Sequence, residues 1–138
     1  MFRSIYYYID KFNRDEISKL NKSINIIYRN YTNKFRTKDI LELVTICKSQ
    51  RRKVYMSNNL KFALKFNFDG VYIPSFDKML RYENITKKKF EIIGSAHNTR
   101  EVINKELQGC TKIFLCPIFR TKKNRTHLGV TKLSLIHI

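Results

Sequence analysis

Residues 90–129 constrain the fold more than any other stretch of this chain. They read FEIIGSAHNTREVINKELQGCTKIFLCPIFRTKKNRTHLG: a short apolar run, a Gly-Ser turn, a segment of helical period, a glycine stop, a second apolar run and a basic loop. Ile92 and Ile93 are a β-branched pair that suits a buried parallel strand, and Ile113, Phe114 and Leu115 repeat the pattern. Asn98 is placed to cap a helix, with Glu101 three residues on to return the hydrogen bond to the cap. Val102, Ile103, Glu106 and Leu107 recur at helical spacing, and Gly109 ends the helix. One strand, one helix and one strand in this order make a βαβ unit.

The same rhythm runs through the preceding residues. Strands are expected at residues 4–9, 24–28, 53–56 and 71–73, each with aromatic or β-branched residues. Helices are expected at residues 14–20, at 37–50 with Ile40, Leu43, Val44 and Cys47 on one face, and through Leu60, Ala63, Leu64 and Phe66. Pro74 ends the fourth strand because it has no N–H for a ladder, and a short helix is expected over 77–82. Six strands alternating with helices imply a parallel sheet, open or closed into a barrel. Arg29, Ser57, Asn58, Ser75, Asp77, Ser95, His97 and Thr121 then fall at or just past the carboxyl ends of strands, where parallel α/β folds place their sites.

Composition narrows the function classes. The 138 residues are 43% apolar, enough for the core of one domain, and no apolar run approaches a membrane span or a secretory signal, so a cytoplasmic protein is expected. Cys47, Cys110 and Cys116 are an odd set without a C-x-x-C pair, which reads as buried thiols. The net charge of +17 is spread along the whole chain with no nucleic-acid-binding motif beside it, so a solvated basic surface is favoured over a nucleic-acid groove. There is no GxGxxG after the first strand and no P-loop, which argues against an open nucleotide-binding sheet.

Three segments together are specific. FDGVYIPS at residues 68–75, GSAHNTREV at 94–102 and CPIFRTKKNRTHLG at 116–129 resemble, in order and spacing, successive motifs of the thiamine phosphate synthase and thiazole tautomerase family. Those motifs are an Ala-Asp-Gly-(Val/Ile)-His-(Leu/Ile)-Gly strand, a Gly-(Val/Ser)-Ser-(Ala/Val)-His-(Ser/Thr) strand and a Gly-Pro-(Ile/Val)-Phe-x-Thr-x-(Ser/Thr)-Lys loop. The resemblance implies a (β/α) TIM-type barrel, here incomplete with about six of eight strands. It implies thiamine biosynthesis, in which a pyrimidine methyl pyrophosphate is joined to a thiazole phosphate with release of pyrophosphate and with Mg²⁺ as cofactor. Thiazole tautomerase and noncatalytic binding of phosphorylated metabolites are the competing readings.

Carried over residue by residue, the resemblance assigns Arg29, Asn58, Ser95, His97, Thr121, Lys122 and Lys123 to the substrate and its pyrophosphate, and Asp77 to the metal; no catalytic residue is assigned. Arg29 matches the arginine of a Gln-x-Arg-x-Lys pattern whose amide and lysine are replaced by Ile27 and Tyr31. Ser57 and Asn58 stand where the family has an Asn-Asp pair, and Lys123 and Asn124 where it has a threonine and a lysine. The implied partners are phosphorylated pyrimidine and thiazole molecules, with no membrane, an oligomer left open, and nucleic acid disfavoured.

Barrels of this kind have eight strands and about 200 residues at the least. Residues 1–132 are therefore expected to be a partial barrel from a gene fragment, and 133–138, LSLIHI, a non-native tail. Open parallel edges are expected where the seventh and eighth strands belong.

Overall fold

The computed structural model describes residues 4–30, 32, 34–80, 82, 85, 88–115 and, for the backbone, 134–137. The chain divides into two compact units, residues 1–71 and 72–138. It is an α/β chain of the parallel βα-repeat class, that of an incomplete TIM-type barrel.

The first unit begins with β1 (Ile5–Ile9), α1 (Arg14–Lys19), β2 (Ile24–Tyr28), α2 (Thr37–Ser49), β3 (Val54–Ser57) and α3 (Leu60–Lys65). β1 pairs parallel with β2, and β2 with β3, in a register that aligns Ile9 with Tyr28 and Tyr28 with Met56. β1 alternates in exposure along its length, whereas β3 is buried throughout, so β3 has neighbours on both faces and tolerates only apolar or satisfied side chains. α2 supplies the expected stripe, with Ile40, Leu43, Val44 and Cys47 all buried.

Arg52, just before β3, joins three elements. Its guanidinium donates to Ile24 O at 2.9 Å, Leu20 O at 3.0 Å and Ile17 O at 3.4 Å, and its Nε to Gln50 Oε1 at 2.8 Å. Leu20 is the C-cap of α1, so Arg52 gives its carbonyl a donor at the end of the helix and adds a second to Ile17 O, which the Leu20 N–H already reaches.

β4 (Gly70–Ile73) opens in the first unit, where Asp69 exchanges two hydrogen bonds with Val54: its N–H donates to Val54 O, and its Oδ2 accepts from Val54 N, each at 2.9 Å. The second unit continues with β5 (Glu91–Ala96), α4 (Thr99–Leu107), β6 (Lys112–Leu115) and β7 (Ser134–His137). β5 and β6 are parallel, and Lys112 at the start of β6 reaches Glu91 at the start of β5 at 3.3 Å. Asn98 caps α4 by accepting from Glu101 N at 3.0 Å, as its position predicts. The return bond is displaced by one residue: Glu101 Oε1 accepts from the backbone N–H of His97 at 3.0 Å, and from the Asn98 side-chain amide at 3.4 Å.

One expectation is corrected, and two features are added. Residues 77–80 form no helix, because the carbonyls of Asp77 and Met79 accept hydrogen bonds from side chains of α4 instead of from a next helical turn. α4 does not turn Ile103 and Leu107 inward: they are exposed, and the buried positions are Lys105 and, at the C-cap, Gln108. A seventh strand joins the six, since residues 134–137 pair antiparallel with β6 from Lys112↔His137 to Leu115↔Ser134. An open strand edge accepts whatever strand-forming segment the chain presents, in either direction. No described helix is long and apolar enough to cross a membrane.

Cys47 and Cys110 are buried free thiols, and burial pushes the pKa of each up to about 12. Raising a thiol from 9 to 12 cuts its thiolate fraction at pH 8 about a thousandfold, and the thiolate is the nucleophile. In the native protein both should resist a disulfide reagent at pH 8 by about that factor relative to the urea-unfolded chain; comparable rates in the two states would contradict their burial. The sign of the pH effect on stability follows. Between pH 9 and 12 the native thiols hold protons that the unfolded chain has lost, so each lowers stability by about 1.4 kcal/mol per pH unit as pH rises. Lys105, whose pKa is lowered by burial, acts in the opposite direction and offsets part of this.

Candidate functional site

Parallel pairing brings the carboxyl ends of β1, β2 and β3 to one edge of the first unit. Arg29 N donates to Ile9 O at 2.7 Å and carries the ladder one step further, so that the register places Asp10, Arg29 and Ser57 in the next row. The Arg29 guanidinium lies 4.2 Å from the centroid of the Tyr8 ring, a cation–π contact that restrains a long, exposed side chain beside the strand ends. Ser57 closes β3 with its side chain only 5% exposed, and among the described residues its hydroxyl has no hydrogen-bond partner. A buried hydroxyl in that state costs free energy unless a partner arrives.

Asn58 follows with φ +52°, a left-handed conformation that asparagine adopts more readily than most residues. It turns the chain into Asn59, which caps α3 by accepting from Phe62 N at 3.1 Å. The residue type at 58 thus has a backbone reason as well as a place at the edge.

The second unit has its own set of groups at strand ends. Ser95, next to last in β5, is buried and accepts a hydrogen bond from the Tyr72 hydroxyl of β4 at 2.8 Å. A serine that accepts through one lone pair still has its own proton to donate. Ser95 is in register with Phe114 of β6, whose ring stands 6.3 Å from that of Tyr72. His97 follows β5 directly, and its Nδ1 lies 3.1 Å from Glu101 Oε1, which ties it to the first turn of α4. Asp77 is buried: its Oδ1 accepts from Met79 N at 3.0 Å and its Oδ2 from the Tyr82 hydroxyl at 2.9 Å. Thr121, Lys122 and Lys123 lie outside the described residues.

A cleft of about 560 Å³ also opens at the carboxyl ends of β1 and β2, lined by Asp10, Lys11, Tyr28, Asn30, Lys34 and Arg36 among others. None of the residues assigned to substrate or metal lines it.

A profile of the family described as "Thiamine monophosphate synthase" matches residues 19–137. The chain belongs to the thiamine monophosphate synthase family. It is 33% identical over 100 residues to the thiamine-phosphate synthase of Prochlorococcus marinus (strain SARG / CCMP1375), covering 70% of this chain and 29% of that protein. To the protein of the same name from Prochlorococcus marinus (strain AS9601) it is 29% identical over 121 residues, 83% of this chain and 34% of that protein. The chain thus spans about a third of the length of the curated relatives it matches.

The Mg²⁺ that the resemblance implies would find few protein ligands in the described residues. Among the described residues no three of His, Cys, Asp and Glu gather into a metal cluster. Asp77 offers a single carboxylate with both oxygens already hydrogen-bonded, which does not make an all-protein cage. Sequence reasoning missed Tyr72, Lys105 and Gln108. For Tyr72 a signal was present, since it occupies the histidine position of the Ala-Asp-Gly-(Val/Ile)-His motif that the resemblance had already aligned.

Proposed function

We propose that this chain carries part of the substrate site of a thiamine-phosphate synthase, which joins a pyrimidine methyl pyrophosphate to a thiazole phosphate and releases pyrophosphate. The observation that carries the reading is Ser95, buried at the end of β5, which accepts from the Tyr72 hydroxyl and still has its own proton to donate. Groups of this kind suit an anion whose charge grows as it leaves, because donors already in place need no reorganisation when the bond breaks. Arg29 adds a fixed positive charge, and Asn58, His97, Thr121, Lys122 and Lys123 are the further pyrophosphate contacts. Asp77 is the carboxylate here that would hold a magnesium ion, which would supply neutralisation of the charge on the leaving pyrophosphate.

Pyrophosphate release from the two substrates with Mg²⁺, followed with a coupled phosphate assay, tests this reading. The expected result is Mg²⁺-dependent turnover. Ser95→Ala should raise the half-saturating concentration of the pyrophosphorylated substrate about tenfold, since a hydrogen bond to a charged group contributes roughly 1.5 kcal/mol. No pyrophosphate release by the wild-type chain, or no change in the variant, counts against it. Thiazole tautomerase is favoured by one observation only: Asn58 stands where the resemblance expects an acidic metal ligand, and proton transfer tolerates that loss. Proton exchange on the thiazole carboxylate phosphate without pyrophosphate release would select that alternative.

A further inference from the structure

Tyr8 and Arg29 come from neighbouring strands and meet on one face. Tyr8 of β1 is in register with Ile27 of β2, and Arg29 stands two residues past Ile27, on the same side of the pair as Tyr8. The bond from Arg29 N to Ile9 O extends this pairing one residue beyond the end of β2. The guanidinium carbon lies over the Tyr8 ring, 4.2 Å from its centroid. Tyr8 is half-buried, a more settled support than the exposed side chain it meets. Among the described residues no carboxylate pairs with Arg29, although Asp10 occupies the same row.

A carboxylate and a ring restrain an arginine in different ways. The carboxylate fills the in-plane fork of N–H donors and cancels the charge. The ring meets the face of the guanidinium and takes neither, so the whole fork and the full positive charge remain for a ligand. An arginine side chain has considerable rotamer freedom, and an anion that must first order it binds more weakly.

We propose that Tyr8 is a positioning residue, which holds the Arg29 guanidinium by its face and leaves its fork of donors to a pyrophosphate group. This rests on the reading of Arg29 given above. Tyr8 does not touch the anion; it acts through Arg29, by reducing the ordering that binding demands.

The test uses the full chain and inorganic pyrophosphate without metal. Affinity is measured by titration calorimetry for wild type, Tyr8→Phe, Tyr8→Leu, Arg29→Ala and the Tyr8→Leu/Arg29→Ala double variant. Phenylalanine keeps the ring and leucine removes it. An exposed cation–π contact is modest, so Tyr8→Leu should bind about fivefold more weakly while Tyr8→Phe stays within about twofold of wild type. Arg29→Ala should bind more weakly by about tenfold or more, the loss of a hydrogen bond to a charged group. In that background the leucine change should have no further effect, because the group through which Tyr8 acts is gone. Proton NMR adds a reading on the wild type alone, which stands even where Tyr8→Leu fails to fold: the ring current of Tyr8 should move the Arg29 δ-methylene upfield of its position in the unfolded chain. Wild-type affinity in Tyr8→Leu, or an equal loss with and without Arg29, overturns the positioning role, and so does an unshifted δ-methylene. A wild-type chain that binds no pyrophosphate, or an Arg29→Ala chain that binds it as tightly as wild type, refutes instead the reading of Arg29 as a pyrophosphate contact, and the role of Tyr8 falls with it.

Discussion

Replacing Arg52 with methionine is expected to lower stability by about 3 kcal/mol, the loss that follows when one partner of a buried charged network is removed. The methionine fills much of the same volume, so the effect isolates the guanidinium. Without it, Ile24 O and Leu20 O lose the guanidinium as donor, Ile17 O keeps only the Leu20 N–H, and Gln50 Oε1 loses the Arg52 Nε. Only part of this is offset by no longer desolvating a charge. Arg52→Lys should recover a fraction, because one ammonium cannot fork to carbonyls that belong to a helix end and a strand start. Urea denaturation reads the result directly: the midpoint should fall by more than about 1 M for methionine. A change within about 1 kcal/mol of wild type would mean that water reaches these carbonyls and that Arg52 is not what closes α1 onto β2.

Gly94→Ala should cost a similar amount, about 3 kcal/mol, for a steric reason. A β-carbon there would stand 2.9 Å from Ile73 O, 2.7 Å from Lys105 Cδ and 3.1 Å from Cys110 Sγ. The lysine stem could shift, but the carbonyl of β4 is backbone and cannot move without disturbing its strand. Combining the change with Lys105→Ala should therefore relieve the clash only in part. Gly109→Ala is the informative control. Its nearest neighbour would be Ile92 Cδ1 at 3.7 Å, and the cost there comes from φ +91°, which should bring it to about 1 kcal/mol. Thermal unfolding of the three variants would separate the effects, and a Gly94→Ala protein melting with wild type would show that β4 and β5 lie further apart than these distances require.

The legibility of the fold in the sequence varied with the kind of interaction that forms each element. β2 could be placed at residues 24–28 because β-branched and aromatic residues run nearly unbroken between polar turns, and α2 because Ile40, Leu43, Val44 and Cys47 recur with the period of the helix. Such elements announce themselves through local spacing. The Asp77 segment did not, since its helical pattern was real but its carbonyls were claimed by α4 from about thirty residues away. α4 itself shows the same limit: Val102, Ile103, Glu106 and Leu107 recur at helical spacing, yet Lys105 and Gln108 are the buried positions because the loop they bind is there.

Of the candidate site, the row that ends the strands was readable as soon as the strands were taken as parallel. Arg29, Ser57, Ser95 and His97 sit where that inference puts them, at or beside carboxyl ends. Tyr72 was overlooked because an aromatic residue inside a strand reads as core until its hydroxyl is seen to meet Ser95.

By itself, then, the sequence determined the alternation of strand and helix, the parallel sense of the strands and the polar groups that follow their carboxyl ends. All of these depend on residues close together in the chain, whose periodicity and turn chemistry act locally. The tertiary structure alone decided which polar residues are buried: Arg52 on the end of α1, Lys105 and Gln108 on the Asp77 loop, and Ser57 with no partner among the described residues. The reason is that the cost of burying a charge or hydroxyl is set by what stands opposite it, and in each of these cases the answer lies in another element of the fold.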